Sequence, residues 1–206
     1  MYPVLVSIMN GRILSIDVGT KNMVFCNVGY MNHPPYFDIS HWFFLNCHGG
    51  SISDMVEKCI AQLDILISPH VLENVSLVLI ESQPAKTIKM KTLSHCIQTY
   101  FVMSKKKVAF ANPHNKLKLC DPALIKKGCY AKNKNASIAK CAQLLGQYKD
   151  SGFDRHGFYE NFNSHQKKDD LADSLLQALY VLLKEPGHQQ QESPSVAHRT
   201  QICLDQ

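Results

Sequence analysis

An α/β layered domain built on a mixed sheet is the fold class this sequence predicts, and three observations predict it. Three strand-like runs follow one another closely, a nearly continuous apolar run of strand length comes later, and helical periodicity then alternates with one more short strand. Short links between the early runs suit antiparallel neighbours, whereas strands separated by helices suit parallel ones.

The first three runs are "RILSIDVG", "MVFCNVGY" and "YFDISHWFFL", separated by glycine, asparagine and proline turn signals, and they predict an antiparallel meander. "SISDMVEKCIAQLDILIS" places Met55, Ile60, Leu63 and Ile67 at helical spacing, with Ser51 or Ser53 as the N-cap. "VSLVLIES" reads as a central strand covered on both faces. A helix over 87–103 leads to a fifth strand in "KVAFANP", then to a basic, irregular region ending near Lys134. "NASIAKCAQLLGQY", with Ile138, Cys141 and Leu145 on one face, and "KKDDLADSLLQALYVLL" are the closing helices. The expected product is one mixed five-stranded sheet flanked by helices, with 1–185 as the folded domain. Residues 186–206 open on Pro-Gly, stay polar, and are expected to form a disordered tail.

Composition narrows the function classes. With 206 residues, 45% of them hydrophobic and 19% charged, the chain can build a core without needing a disulfide or metal merely to fold. The eight cysteines form no CxxC pair and no zinc-ribbon spacing, which points to reduced thiols and an intracellular, cytoplasmic setting. "MYPVLVSIMNGR" has neither the character of a secretory signal nor that of an arginine-rich mitochondrial leader, so a secreted protein is not expected and a mitochondrial one is disfavoured. No apolar run approaches the roughly 20 residues that span a bilayer, so no membrane partner is expected.

Charge is distributed unevenly. Between Lys86 and Lys140 there are thirteen lysines and one acid, Asp121, so this segment carries +12 within a chain of net +5. A basic block beside an acidic remainder is the footprint of a polyanion binder. A merely solvated basic face is the competing explanation.

Four carboxylates stand where carboxylates are costly. Asp17 ends the first strand, Glu81 ends the fourth, and Asp170 and Asp173, three apart, share a face near the start of the last helix. An acid at the end of a buried strand needs a cation, either a lysine or a metal. Two divalent ions would balance four converging acids, and magnesium prefers oxygen ligands. At this stage a salt bridge from Asp17 to Lys21, and a capped, solvated first turn for Asp170 and Asp173, remain open. Asp169 reads as such a first-turn acid.

"SIDVGTKN", "LVLIESQPAKTIKMK" and "HQKKDDLADSLLQALYVL", in this order, resemble the three catalytic blocks of the RuvC-like Holliday-junction resolvases of the ribonuclease H-like superfamily. The style is that of the fungal mitochondrial and poxvirus-type members, and the resemblance covers residues 12–184. It implies a ribonuclease H-like fold and a structure-selective endonuclease that resolves four-way DNA junctions in recombination, repair or viral genome processing. By position it makes Asp17, Glu81, Asp170 and Asp173 the catalytic, metal-binding set. It implies two Mg2+ ions per site, with Mn2+ as a substitute, and a homodimer. The helix over 87–103, with Leu93, Cys96, Ile97, Tyr100 and Phe101, is the expected dimer surface.

Around these acids lie the expected DNA contacts. Gly19 leaves room for a close backbone approach, and Lys21 and Asn22 offer donors at the rim. Gln83, Lys86, Lys89 and Lys91 follow Glu81, Lys116, Lys118, Lys132 and Lys134 come later, and Lys167 and Lys168 precede the paired aspartates. Lysine suits phosphate contact without sequence readout. His165 is a further candidate acid or base.

Other functions compete. "DVGTKN" also resembles the phosphate turn of actin-like ATPases, but this chain is too short for their two domains. A ribonuclease H acting on RNA–DNA hybrids, and a non-catalytic nucleic-acid-binding protein of this fold, are the remaining alternatives.

Overall fold

The computed structural model describes residues 11–67 and 69–184. Five strands, β1 (Arg12–Asp17), β2 (Met23–Tyr30), β3 (Phe37–Leu45), β4 (Val75–Glu81) and β5 (Val108–Ala111), form a single sheet in the order β3-β2-β1-β4-β5. β1, β2 and β3 make the expected antiparallel meander, while β4 runs parallel to β1, and β5 parallel to β4. The two strands that end in Asp17 and Glu81 are therefore internal neighbours.

Six helices complete the described chain: α1 (Ile52–Leu66), α2 (Pro69–Leu72), α3 (Ile88–Met103), α4 (Tyr130–Asp150), α5 (Phe158–Ser164) and α6 (Lys168–Leu182). The period of two along the strands sorts them onto two faces. Leu14, Ile16, Phe25, Val78 and Ile80 pack under α1 and α3 with Met55, Leu63, Leu93, Ile97 and Phe101. Ile13, Val24, Cys26, Leu77 and Leu79 point the other way, beneath Cys141 and Leu145 of α4, Phe162 of α5 and Leu175 of α6. The result is three layers, with the sheet in the middle.

Local chemistry explains most boundaries. The Ser51 hydroxyl accepts from the Asp54 N–H at 3.1 Å, so Ser51 and not Ser53 caps α1. The sequence pattern does not predict α5, because seven residues are too few for periodicity to register. Both Asp154 carboxylate oxygens accept from its first turn, from Phe158 N at 2.6 Å and Tyr159 N at 2.8 Å. α4 begins at Tyr130, five residues before the expected start at Asn135, so Lys132 and Lys134 are helical. The segment before it, expected to be irregular, holds two 3-10 turns, Lys116–Leu119 and Pro122–Leu124. Cys120, Ala136 and Leu176 form a small cluster that fastens this segment between α4 and α6.

The expected dimer surface needs correction. Leu93, Ile97 and Phe101 are fully buried against the sheet within one chain, and Tyr100 donates to Asp64 of α1 at 3.0 Å. Helix α3 spends its apolar stripe on the core, because α1 and α3 together roof one sheet face. The seven described cysteines are free thiols. Among the described residues no helix is long and apolar enough to cross a membrane. The polar segment 186–206 lies outside the described residues.

Candidate active site

The parallel ladder pairs Ile16 with Ile80, so Asp17 and Glu81 emerge side by side from adjacent strand ends. They share strand parity with Ile13 and Leu79, which face α6, and so they too project toward that helix. α6 crosses this edge with its N-terminal turns, and the 3.6-residue period brings Asp173 over the strand acids with Asp170 one turn before it. Gln177, one turn beyond Asp173, fixes the crossing. Its amide donates to Ser15 Oγ at 3.1 Å and to the Leu79 carbonyl at 3.2 Å, on the residues two before Asp17 and Glu81.

The cation that the buried strand end demanded is Lys116, from the first 3-10 turn. Its ammonium lies 2.8 Å from Glu81 Oε1 and 2.5 Å from Asp173 Oδ2, and the residue is only 8% exposed. Lys21, the nearer lysine in sequence, is exposed at the rim and makes no ion pair with Asp17. Lys116, expected as a phosphate contact, thus sits within the acid cluster itself.

Electrostatics divides the four acids. Burial, with the neighbouring Glu81 and Asp173 charges, holds the Asp17 carboxyl well above the ordinary range. Burial would also raise Glu81, but the Lys116 ammonium and hydrogen bonds from Asp17, Lys116 and Gln83 bring it below its usual value. Of the two adjacent strand acids, Asp17 is therefore the one whose charged form is disfavoured. Asp173 is pushed up to about 6 by burial despite Lys116, and Asp170 is raised by burial and by Asp169. Burial would lower Lys116, yet Asp173 and Glu81 raise it.

A cleft of about 570 Å³ opens above the acids. Of the expected DNA contacts, Gly19, Lys21, Asn22, Gln83, Lys116, Lys134 and Lys167 line it with the four acids. Lys86, Lys89 and Lys91 are exposed outside it, beside and along the first turns of α3, and Lys132 and Lys168 also lie beyond its lining. Lys118 is tethered, donating to the Tyr180 hydroxyl at 3.2 Å and to Asn115 Oδ1 at 3.1 Å. At Gly19 the close backbone approach is made by the chain itself, since a Cβ there would meet the Asn22 carbonyl at 2.6 Å. His165 lies outside the lining too. It stacks on Phe44 at 4.4 Å, and its Nδ1 accepts from the Lys167 N–H.

Three further residues, which the sequence does not mark as functional, belong to the site. Asp169, read as a solvated first-turn acid, pairs with Lys134 and ties α4 to α6. Gln177 is a polar residue on an apolar helix face, which was a usable signal. Tyr130, 74% exposed, lines the cleft beneath Lys134, whose Nζ lies 4.9 Å from the ring centre. An aromatic inside a lysine run, "KKGCYAKNK", was the signal for it.

The donor set suits a hard divalent cation, with four carboxylates, three of them raised, and Lys116 as the one ammonium ion-paired to them among the described residues. As arranged, no three His, Cys, Asp or Glu side chains among the described residues are grouped to hold a metal ion, and Lys116 fills the space between Glu81 and Asp173.

The family described as Poxvirus A22 protein matches residues 12–185. The chain belongs to this family of poxvirus resolvases. Its fold is similar to that of the yeast mitochondrial Holliday junction resolvase, with a TM-score of 0.59 and 18% identity over 86% of this chain and 81% of that one. The fowlpox virus resolvase in complex with substrate Holliday junction DNA gives 0.56 and 23% identity, over 83% of this chain and 97% of that one. Thermus thermophilus RuvC in complex with a Holliday junction substrate gives 0.55 and 13%, over 82% and 91%. The mixed five-stranded sheet of this family member is the ribonuclease H-like fold. No curated protein sequence matches the chain.

Proposed function

We propose that this family member is a structure-selective endonuclease that cuts four-way DNA junctions by metal-dependent phosphodiester hydrolysis. The observation that carries this reading is the convergence of Asp17, Glu81, Asp170 and Asp173 in one cleft whose walls are lined by lysines. These four acids would hold two Mg2+ ions, or Mn2+ in their place. When bound, such ions activate water and stabilise the leaving oxygen.

The chain's own residues do the rest. Lys21, Asn22 and Gln83 line one side of the cleft and Lys167 the side near α6, where they offer donors to a phosphate backbone. Tyr130 presents a ring on which an unstacked base can lie, as opened bases at a branch point require. Lys86, Lys89 and Lys91 extend the basic track along α3. The partial burial that raises Asp17 and Asp173 sets the acids at the floor of the cleft, where fixed charges act on the scissile phosphate more strongly than they would in open water.

Paired cuts need two matching sites, and one domain supplies one, so the working unit is a C2 homodimer. Its surface lies outside the buried Leu93, Ile97 and Phe101 stripe. A reducing cytoplasm, that of the host cell, suits the seven free thiols among the described residues. The test is incubation of the full chain with a labelled four-way junction, a plain duplex and an RNA–DNA hybrid, each with and without Mg2+. Paired nicks in the junction alone, only with metal, are expected. Preferential cutting of the hybrid would move the chain to the ribonuclease H class, and binding without cutting would make it a non-catalytic binder.

A further inference from the structure

We propose that Lys116 is the displaceable counter-ion of the metal-free site. Its ammonium holds Glu81 and Asp173 together until a divalent cation evicts it, so metal loading and the exposure of Lys116 are one coupled event. The proposal rests on the reading of Asp17, Glu81, Asp170 and Asp173 as the metal-binding set.

The geometry makes Lys116 unlike every other lysine of the cleft. Lys21 and Lys167 are exposed, and Lys134 is paired with Asp169. Lys116 alone reaches the acid set, bridging one strand acid and one α6 acid at 2.8 Å and 2.5 Å with its side chain 10% exposed. Among the described residues no other ion pair joins β4 to α6, so without a cation the two acids would push the end of α6 away from β4. A lysine is suited to the task. Its compact point charge stands on a flexible four-carbon stem and makes no fixed fork with either carboxylate, so it can leave without moving the backbone that carries it.

A divalent ion that takes oxygens from Glu81 and Asp173 competes for the ones Lys116 already holds. Like charges cannot share them at that spacing in a site shielded from water. The arrangement therefore trades intrinsic metal affinity for an ordered apo state, and the binding-competent form appears only as Lys116 leaves.

The experiment uses the full chain without DNA. Reductive methylation read by mass spectrometry should find Lys116 protected in chelator and modified at least about tenfold faster in saturating Mg2+ or Ca2+. Calorimetric titration should show that Lys116→Met binds Mg2+ at least about tenfold more tightly than wild type. Its melting temperature should be lower in chelator and should rise more on adding metal. Equal metal affinity in the two proteins, or a Lys116 that stays protected in saturating metal, overturns the proposal while leaving the metal site standing. Absence of metal binding by either protein overturns both. Should Lys116→Met fail to fold without metal, the wild-type labelling decides alone.

Discussion

Lys116 and Asp173 form an ion pair of 2.5 Å that ties a short 3-10 turn to the second turn of α6. Glu81 accepts from the same ammonium, so one positive charge serves acids from two layers of the fold. That arrangement sets different expectations for the four acids.

Asp17→Asn, Glu81→Gln, Asp170→Asn and Asp173→Asn should each lower the rate of junction cleavage by at least about 10³-fold, since each removes a charged oxygen ligand worth several kcal/mol to the reaction. Junction binding, followed by gel shift in Ca2+, should persist. Stability separates them. Asp17→Asn should be near neutral without metal because burial already disfavours the charged form of Asp17, whereas Glu81→Gln should lose roughly 1–3 kcal/mol by weakening the hold on a buried ammonium. Wild-type cleavage by any of the four in Mg2+ would remove that residue from the set.

Affinity for the junction should fall steeply with salt, because neutralised phosphates release counter-ions. Lys89→Ala with Lys91→Ala should reduce the slope of log affinity against log salt by about 2. Tyr130→Ala should instead weaken binding by about 1–3 kcal/mol with the slope unchanged, and Tyr130→Phe should bind as wild type. A slope that moves with Tyr130→Ala would mean that the ring does not stack but positions Lys134.

Asp173 gives the metal-free protein an unusual pH response. Its carboxyl is pushed up to about 6 by burial, so the folded state binds this proton more tightly than the unfolded chain does. The stabilisation is complete below the unfolded value of about 3.9 and is lost as pH rises through about 6. Between about pH 5 and about pH 7 in chelator, the melting temperature of wild type should therefore fall relative to that of Asp173→Asn, which cannot titrate. Mg2+ reverses the sign. Metal needs the ionised carboxylate, so its stabilising effect should be larger above pH 7 than near pH 5. Parallel profiles for the two proteins in chelator would contradict this.

Ile97→Asp should unfold the chain, with a loss of roughly 4 kcal/mol or more, because Ile97 is fully buried between α3 and the sheet. Denaturant titration measures this directly. Sedimentation of the wild-type chain at micromolar concentration should show a dimer. A variant that folds normally and only dissociates would return the interface to this stripe.

What the sequence determined by itself was whatever depends on neighbours in the chain. Alternation along 12–17 and 23–30, the apolar run at 75–81 and the helical spacing in 168–182 are local records of which side is buried, and each became the element they predicted. The acids were legible for the same reason, since Asp17 and Glu81 interrupt strands, and Asp170 and Asp173 share a helix face. The helix at 158–164 and the early start of α4 were not, because the first is shorter than two turns and the second is held by contacts across the fold, among them the pair from Lys134 to Asp169. Only tertiary structure decided which lysine meets the acids and which apolar residues remain free. Nothing in the local pattern distinguishes Lys116 from the other twelve lysines of its segment, nor the Ile97 stripe from an interface. Both are settled by packing between segments distant in the chain, where the cost of an unpaired buried charge selects Lys116 and the need to roof the sheet consumes α3.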